Sequence, residues 1–402
     1  MATEVQFNPY LPEVIADPYP LYHRLRAEDP VHLSPLGLWV LTRYDDVVMV
    51  LRDPRFGRGG YGDFVRARFG ESDRADQPGF ALSMLFRDPP DHTRLRALVN
   101  KAFTPRVVES MRPRIQEIVD GLLDRGRGAG GMEVIADLAY PLPIVVICEM
   151  LGVPVADQDR FKGWSLDIAR SLDAIAFPMD PEVIERGNRA REALADYFRT
   201  LISERRARPR ADLLSALVAV EEEGDRLSEP ELIATIILLF VAGHETTVNL
   251  IGNGLLALLR HPAELARLRE DPALAASAVE ELLRYDGPVQ RTGRIAGEDL
   301  EIGGKRIEKG QMVLAMIGAA NRDPAHFPEP DRLDLGRGDN RHLAFGWGIH
   351  FCLGAPLARV EAQITFTSLL RRLPGLRLAT DTLEWRDTAV LRGLKALPVS
   401  FT

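Results

Sequence analysis

The sequence predicts a mainly helical protein with short strands near both ends of the chain. Apolar residues recur at helical spacing in five segments, which lie near residues 92–102, 106–123, 157–173, 181–206 and 229–260. Strand-like runs lie at 38–42 near the start and at 311–316 and 394–401 near the end. No linker rich in Ser or charge divides the chain, and it has no internal repeat. We therefore expect residues 1–402 to form a single domain.

The segment 229–260 carries the strongest helix signal. It begins with Ser228-Glu229-Pro230-Glu231, the pattern of a capping box with proline in the first turn. If the helix continues unbroken to Arg260, it is roughly 48 Å long. Its longest apolar stretch, 232–243, is about 12 residues, which is too short to span a bilayer. A helix this long and apolar should run through the core of a soluble protein.

Composition and charge exclude several classes of function. Acidic residues outnumber basic ones by 58 to 50, which makes nucleic acid an unsuitable partner. Residues 1–20 have neither a basic region nor an apolar core, so we expect no signal peptide and no membrane anchor. The two cysteines provide no disulfide framework, which fits a reducing cytoplasm. Cys148 lies in an apolar run and is predicted to pack in the core.

The second cysteine, Cys352, lies in a very different run. Residues 345–354 read Phe-Gly-Trp-Gly-Ile-His-Phe-Cys-Leu-Gly, and a predicted helix follows at 357–370. The glycines allow the backbone to turn tightly and to approach a flat ligand. A thiol just before a helix start is close to unpaired amide N–H groups and to the positive end of the helix dipole, which both favour the thiolate. A haem iron with a single protein ligand is the best candidate metal for such a sulfur.

Other interpretations of Cys352 are weaker. A lone cysteine is usually a small buried hydrophobe. A structural zinc site needs about four Cys or His ligands, and the chain has only two Cys. The pattern Phe-Gly-x-Gly-x-His-x-Cys-x-Gly closely resembles the haem-binding loop of the cytochromes P-450, the haem-thiolate monooxygenases. The resemblance implies haem b with Cys352 as its iron ligand, and Phe345, Gly346 and Gly354 as neighbouring cofactor-binding residues.

The middle of the long helix reads Ala242-Gly243-His244-Glu245-Thr246-Thr247. Ala242 and Thr246 share a helix face, where small residues leave room above a haem, and the Thr246 hydroxyl can bond back to the carbonyl of Ala242. Glu245 and Thr246 form an acid–alcohol pair suited to relaying protons. The alternative for Glu245 is a solvent-facing charge. The stretch resembles the oxygen-activating segment of the same family, and His244 should point away from Ala242, with no role as an iron ligand.

Glu281 and Arg284 have the spacing of an ion pair on one helix face. The spacing alone is common in this chain. Its place between the long helix and the Cys352 loop resembles the structural Glu–Arg pair of the family, and Arg332 resembles the third member of that network. The resemblance implies a structural role for these three residues.

Four residues match positions that bind the haem propionates in many bacterial members of the family. Arginine forks suit carboxylates, because they can donate two hydrogen bonds at once. For any one of the four, an ordinary solvated charge is the alternative. They are His92, Arg96, Arg294 and His350.

The substrate pocket is predicted by family position alone. Its candidate residues are mostly apolar, which suits a bulky lipophilic substrate, and polyketide, terpenoid, steroid and fatty acid all remain open. These residues are Phe80, Leu82, Leu85, Ile175, Phe177, Ala242, Val289 and Leu391.

The resemblance covers nearly the whole chain. It implies a mainly α fold with a small β region, the single-domain cytochrome P-450 fold, with a long central helix over the haem. It also implies insertion of one oxygen atom from O2, as in the soluble natural-product and macrolide hydroxylases. The segment 126–131 matches a dinucleotide pattern but follows a helical stretch, so we expect no flavin or nicotinamide site. We expect electrons from a separate ferredoxin and ferredoxin reductase, a docking patch that includes Arg94 and Lys101, and a monomer.

Three rival functions stay open at this stage. A peroxide-driven or non-oxygenating haem-thiolate enzyme would often lack the acid–alcohol pair. A haem-binding sensor without turnover would need a second domain to receive its signal. A scaffold without haem would be colourless when purified.

Overall fold

The computed structural model describes residues 5–69, 82–126, 130–222 and 225–402. Helices account for most of the ordered backbone. In chain order the α-helices are α1 Pro12–Ala16, α2 Tyr19–Glu28, α3 Tyr44–Arg52, α4 Tyr61–Phe69, α5 Asp91–Ala102, α6 Pro105–Ser110, α7 Arg112–Gly126, α8 Pro141–Leu151, α9 Gln158–Ser171, α10 Pro181–Ala207, α11 Leu213–Ala219, α12 Glu229–Arg260, α13 Pro262–Glu270, α14 Ala275–Asp286, α15 Ile317–Ala320 and α16 Ala355–Arg372.

The strands are short and form small sheets. They are β1 Val31–Leu33, β2 Trp39–Leu41, β3 Phe56–Gly57, β4 Gly131–Glu133, β5 Glu221–Glu222, β6 Asp225–Arg226, β7 Thr292–Ala296, β8 Leu300–Ile302, β9 Lys305–Ile307, β10 Met312–Ala315, β11 Arg377–Leu378 and β12 Pro398–Ser400. The largest sheet has the order β1-β2-β10-β7-β3, in which only β2 and β10 are parallel. A second sheet has the order β11-β12-β4, and β5–β6 and β8–β9 are separate antiparallel pairs.

The large sheet is buried on both faces. Side chains alternate between faces along a strand. Val313 of β10 therefore packs in one apolar cluster with Trp39, while its neighbour Leu314 packs in another with Val40. The helical part has its own, larger core, which surrounds α12.

Helix α12 is the predicted long central helix, from Glu229 to Arg260. Its capping box is present: the Ser228 hydroxyl accepts from the Glu231 amide, and the Glu231 side chain accepts from the Ser228 amide. By length and composition it could cross a membrane, but 78% of its most apolar window is buried inside the protein. It packs against α8, α9, α10, α14 and α16 and is therefore a core helix.

The segment predicted as one helix at 106–123 is two helices. α6 ends at Ser110 and α7 begins at Arg112. Pro113 is the cause, because proline has no amide N–H to continue a helix but fits its first turn. The glycine-rich match at 126–131 includes residues 127–129, which lie outside the described part of the chain. It is flanked by α7 and then by β4, the reverse of the strand-then-helix order of a dinucleotide site.

Candidate active site

A large cavity lies between α12 and the Cys352 loop. It contains about 1420 Å³ of empty space, which includes its opening to solvent. Most of its wall is apolar. The lining residues are Arg58, Met84, Leu85, His92, Arg96, Phe103, Ile147, Leu238, Leu239, Ala242, Gly243, Thr246, Thr247, Leu250, Leu283, Pro288, Val289, Thr292, Ile317, Ala344, Phe345, Gly346, His350, Phe351, Cys352, Leu353, Gly354, Leu357 and Ala358.

The Cys352 loop is held in a tight turn that only glycine allows at Gly348. This residue has φ of 72°, and a Cβ there would lie 2.5 Å from the Leu51 carbonyl oxygen of α3. The Cys352 amide donates to the Phe345 carbonyl at 2.9 Å and closes the loop. Helix α16 then begins at Ala355, two residues earlier than the sequence indicates. The loop therefore fixes Cys352 in the cavity wall, at a helix start.

The environment of the Cys352 thiol is only partly as predicted. The amides of Gly354 and Ala355 donate to the sulfur and lower its pKa, as expected at a helix start. Burial has the larger effect, however, and the pKa of Cys352 is raised above its usual value. A thiol that coordinates a metal is deprotonated by the metal itself, so this burial is compatible with a ligand role. Cys148, by contrast, is buried in the core of α8, where burial raises its thiol pKa to about 12.

Helix α12 presents small residues to the cavity, as the sequence predicts. Ala242, Gly243 and Thr246 all line it. The Thr246 hydroxyl donates to the Ala242 carbonyl at 2.7 Å, which is the predicted bond to the preceding turn. His244 lies on the other side of the helix, fully buried, with Nδ1 2.9 Å from the Ser165 hydroxyl. It is not part of the cavity wall.

Glu245 is buried but does not line the cavity. Its Oε2 accepts from Arg386 Nη1 at 2.7 Å, and its Oε1 has no hydrogen-bond partner in the described part of the chain. Burial raises the pKa of the Glu245 carboxyl, and the Arg386 guanidinium opposes that rise. The acid of the predicted acid–alcohol pair is therefore directed toward Arg386, a partner that the sequence does not reveal.

Basic side chains gather at one edge of the cavity. His92 and His350 have ring centroids 4.4 Å apart, and both line the cavity together with Arg96. Arg294 lies next to them, almost fully buried, although it is not part of the wall. Burial and the nearby Arg58 guanidinium lower the pKa of His350 to about 2 and that of Arg294 to about 9. All four predicted propionate-binding residues are thus brought together.

A fifth basic side chain, Arg58, is also in this group, and it was not predicted from the sequence. Arg58 lines the cavity and is nine-tenths buried. We call these five residues the cationic edge. Within the described residues, none of its three guanidinium groups forms an ion pair with an acid, and both ring nitrogens of His92 and the Nε of Arg58 lack hydrogen-bond partners. Buried arginines without an anionic partner indicate a missing anion.

The residues present fit a haem. Its iron needs a protein donor, which Cys352 offers, and its flat ring needs space beside small residues, which Ala242 and Gly243 leave. Its two propionates need cations, which the cationic edge provides. Within the described residues no cluster of three or more His, Cys, Asp or Glu side chains could hold a metal ion.

The Glu281–Arg284 pair forms as predicted, but its third member differs. Both side chains are fully buried and joined by two hydrogen bonds of 2.8 Å. The prediction that Arg332 completes this network is wrong: the Arg332 side chain is exposed, pairs with Glu329, and contributes only its carbonyl oxygen to Arg284. Arg337 takes its place, with Nε 3.1 Å from Glu281 Oε2. Nothing in the local sequence distinguishes the two arginines.

A fourth side chain completes this group: the Asn340 amide donates to Glu281 Oε2 at 3.2 Å. We call Glu281, Arg284, Arg337 and Asn340 the Glu281 network.

The predicted substrate pocket is only partly confirmed in position. Leu85, Ala242 and Val289 line the cavity, and Phe80 lies outside the described residues. The other four predicted residues are absent from its wall. Phe177 and Ile175 pack instead in the apolar cluster of the large sheet that contains Val40 and Leu314. The Arg291 guanidinium lies over the Phe177 ring, 4.3 Å from its centroid.

The remaining two are displaced for other reasons. Leu391 is buried beside Val289, with which it forms a backbone bridge, and Leu82 is more than a third exposed. Family position alone could not show which side of each segment turns inward. The cavity wall also contains apolar residues of α12 and α14 that were not predicted from the sequence, such as Leu238, Leu239 and Leu283.

Comparison with known proteins confirms the resemblance. The sequence model of the family described as cytochrome P450 matches residues 37–374. The chain is 46% identical over 391 residues to Cytochrome P450 CYP107DY1 of Priestia megaterium, covering 94% of this chain and 92% of that protein. It is 46% identical over 394 residues to Cytochrome P450 monooxygenase PikC of Streptomyces venezuelae, covering 96% and 91%.

A solved structure agrees in fold. The myxobacterial cytochrome P450 CYP267B1 in complex with myristic acid superposes with a TM-score of 0.90 at 49% sequence identity, covering 98% of each chain. The predicted fold class, mainly α with a small β region, is confirmed.

Proposed function

Because the chain belongs to the cytochrome P450 family, we propose that it inserts one oxygen atom from O2 into a lipophilic small molecule, by hydroxylation or epoxidation, as a single-domain cytoplasmic enzyme. The observation that carries this proposal is the cavity that Cys352 shares with Ala242 and Thr246, between apolar walls and the cationic edge. A binding protein would need the cofactor edge but not the Thr246 hydroxyl in the cavity wall.

Members of the family bind haem b, which supplies the activation of O2 when it is bound. In this chain Cys352 would hold the iron, and the Phe345–Gly346 turn and Gly354 would bring the loop close to the ring. Four residues of the cationic edge would hold the propionates. These are His92, Arg96, Arg294 and His350.

The protons that the reaction consumes would come from Glu245 by way of Thr246. Burial raises the pKa of Glu245, which favours the protonated carboxyl that a donor needs. Its partner Arg386 is 16% exposed, so the carboxyl lies between solvent and the cavity wall. To pass a proton inward, the Thr246 hydroxyl must exchange its bond to the Ala242 carbonyl for a bond to the reacting oxygen.

The apolar wall supports a lipophilic substrate. Met84, Leu85, Leu239 and Val289 are among its side chains. The similar CYP267B1 was solved with myristic acid, so long-chain ligands are the starting point for a screen. We propose a lipophilic secondary metabolite, terpenoid, steroid or fatty acid as the substrate class.

Electrons would come from a separate ferredoxin with its reductase. The patch predicted from Arg94 and Lys101 needs correction, because Arg94 contacts Glu231 and Asp225 and its charge is neutralised there. The loop that carries Cys352 exposes Ile349 and Phe351, which are 51% and 40% accessible, and Arg106 is exposed on α6, which packs against α16. We propose this surface as the docking site for the ferredoxin, which would bind to the monomer.

The test combines ligand binding with turnover. Lipophilic ligands are screened by the spectral change that accompanies displacement of iron-bound water, and the best binder is then incubated with ferredoxin, its reductase and NADPH. We expect oxygenated product. Thr246→Ala should keep haem and ligand binding but release peroxide in place of most of the product, whereas the surface control Thr200→Ala should behave as the parent.

Other outcomes identify the rivals. Product formed from added peroxide but not with ferredoxin would indicate a peroxide-driven enzyme. Ligand binding without any product would indicate a sensor. A colourless protein that takes up no haem would indicate a scaffold.

A further inference from the structure

Arg58 lies in a loop that is built to turn its side chain inward. The Asp88 carboxylate accepts from the Arg58 amide at 2.8 Å and from the Gly59 amide at 2.7 Å. A Cβ at Gly57 would lie 2.4 Å from Asp88 Oδ2, so glycine is required there for the carboxylate to come this close. Asp88 is therefore occupied with the Arg58 backbone and forms no ion pair with its guanidinium.

Two strands then bring Arg58 level with Arg294. β3 pairs with β7 in antiparallel register, Gly57 opposite Ile295, and the next pair in that register is Arg58 with Arg294. Both guanidinium groups donate to one acceptor, the Thr292 hydroxyl. Two buried cations that share a hydroxyl repel each other, and an anion between them would remove that repulsion.

The charges at this edge show how much anion is missing. Arg58, Arg96 and Arg294 are permanently charged, since arginine stays protonated in proteins. Among the described residues, Asp88 is the only carboxylate whose charge acts on Arg58 and Arg294. The two guanidinium charges of Arg58 and Arg294 against this one carboxylate leave a positive charge, which a propionate would balance.

We propose that Arg58 is a carboxylate-binding residue of the cofactor site and contacts a propionate of the bound haem. This inference rests on the proposed function, because it requires a haem in the cavity. A substrate carboxylate is the other source of the same chemistry, since Arg58 also lines the cavity. The haem is favoured because Arg58 lies close enough to Arg294, His92 and His350 for its positive charge to act on all three of these predicted propionate-binding residues. The cavity wall beyond this edge is apolar.

The test measures haem loss from the holoenzyme to excess apomyoglobin. Arg58→Gln should lose haem b about tenfold faster than the parent, the size expected for one charge-assisted hydrogen bond. Arg58→Lys keeps the charge and should fall between the two. The control is Arg55→Gln in the same loop, whose exposed side chain pairs with Asp53 and Glu298 and should not matter.

A second arm removes the propionate charge instead. The parent and Arg58→Gln are reconstituted with haem dimethyl ester, in which both carboxylates are blocked, and the two should then lose the cofactor at equal rates. Equal rates with haem b would overturn the proposal, and so would the same tenfold difference with the ester, which would show a general packing effect. If Arg58→Gln does not fold, the Arg58→Lys series decides the question in the same way.

A third arm addresses the substrate. Spectral titrations compare a long-chain fatty acid with its methyl ester in parent and Arg58→Gln. Weaker binding of the acid alone, with haem loss unchanged, would assign Arg58 to the substrate and contradict the proposal. Failure of the proposed function itself would be distinct, because the parent would then bind no haem b in the first arm.

Discussion

Two groups of buried charged residues in this protein differ in whether their arginines have a carboxylate partner. In the Glu281 network, the carboxylate of Glu281 accepts from Arg284, Arg337 and Asn340, so both guanidinium groups have an anionic partner within the chain. In the cationic edge, the arginines have no carboxylate partner among the described residues. A paired group can stabilise the fold by itself, whereas an unpaired group costs stability until a ligand supplies the opposite charge. The difference separates a structural cluster from a binding site without reference to any relative.

The largest change in stability should follow from a substitution that breaks the Glu281 network. Glu281→Gln leaves Arg284 fully buried without its counter-charge, and we expect the free energy of unfolding to fall by about 3–5 kcal/mol. Urea unfolding of the apoprotein measures this. Glu329→Gln, which removes an exposed partner of Arg332, is the control and should change stability little. If Glu281→Gln lowers the free energy of unfolding as little as the control does, the Glu281 network does not stabilise the fold.

A substitution in the cationic edge should change the stability of the apoprotein in the opposite direction. Arg294→Gln removes a buried cation that has no acid partner, so we expect the apoprotein to be at least as stable as the parent. The holoenzyme should nevertheless lose haem faster, because a propionate has lost its cation. Unfolding of the apoprotein and haem transfer from the holoenzyme are measured side by side. Strong destabilisation of the apoprotein would contradict the comparison, since Arg294 would then be structural like Arg284.

The membership of the Glu281 network gives a smaller test. Arg337 donates to Glu281 and is 10% exposed, whereas the Arg332 side chain is 60% exposed. Arg337→Gln should cost about 2 kcal/mol, the scale of a hydrogen bond to a charged group. Arg332→Gln should cost no more than about 0.5 kcal/mol. If the order is reversed in urea unfolding, the structural assignment of the third member is wrong and the sequence prediction of Arg332 was right.

A third kind of buried acid gives an effect that depends on pH. Glu361 of α16 is fully buried, its Oε2 has no partner, and burial raises its pKa to about 8. Because the folded protein binds this proton more tightly than the unfolded chain, the carboxyl lowers stability as pH rises from about 4.5, the unfolded value, to about 8. The free energy of unfolding of Glu361→Gln should therefore clearly exceed that of the parent at pH 8, and most of this difference should disappear at pH 5. Parallel stability profiles would show that Glu361 has a partner or titrates normally.

What the sequence could predict depended on how local the determinants were. The Cys352 loop and the start of α12 are encoded in contiguous residues, glycines in one case and a capping box in the other, and both are present in the structure. The Glu281–Arg284 pair is also local, one turn apart on a helix. The fold class followed from periodicity and from the resemblance together.

What it could not predict depends on contacts between distant segments. Arg386 reaches Glu245 across 141 residues, and Arg58 reaches Thr292 across 234. Arg337 and Arg332 are chemically identical and five residues apart, so only the path of the chain decides which one turns inward. Phe177 is apolar whichever core it joins, and the packing of the amino-terminal segment determines its place. No local pattern carries this information.

The central claim is that Cys352 is the iron ligand in the shared cavity, and the spectrum of the reduced carbon-monoxide complex tests it most directly. The parent should show the red-shifted band of a thiolate-ligated haem, Cys352→His should lose that band while retaining haem, and Cys148→Ser should keep it. A band that persists in Cys352→His and disappears in Cys148→Ser would contradict the assignment and the account built on it.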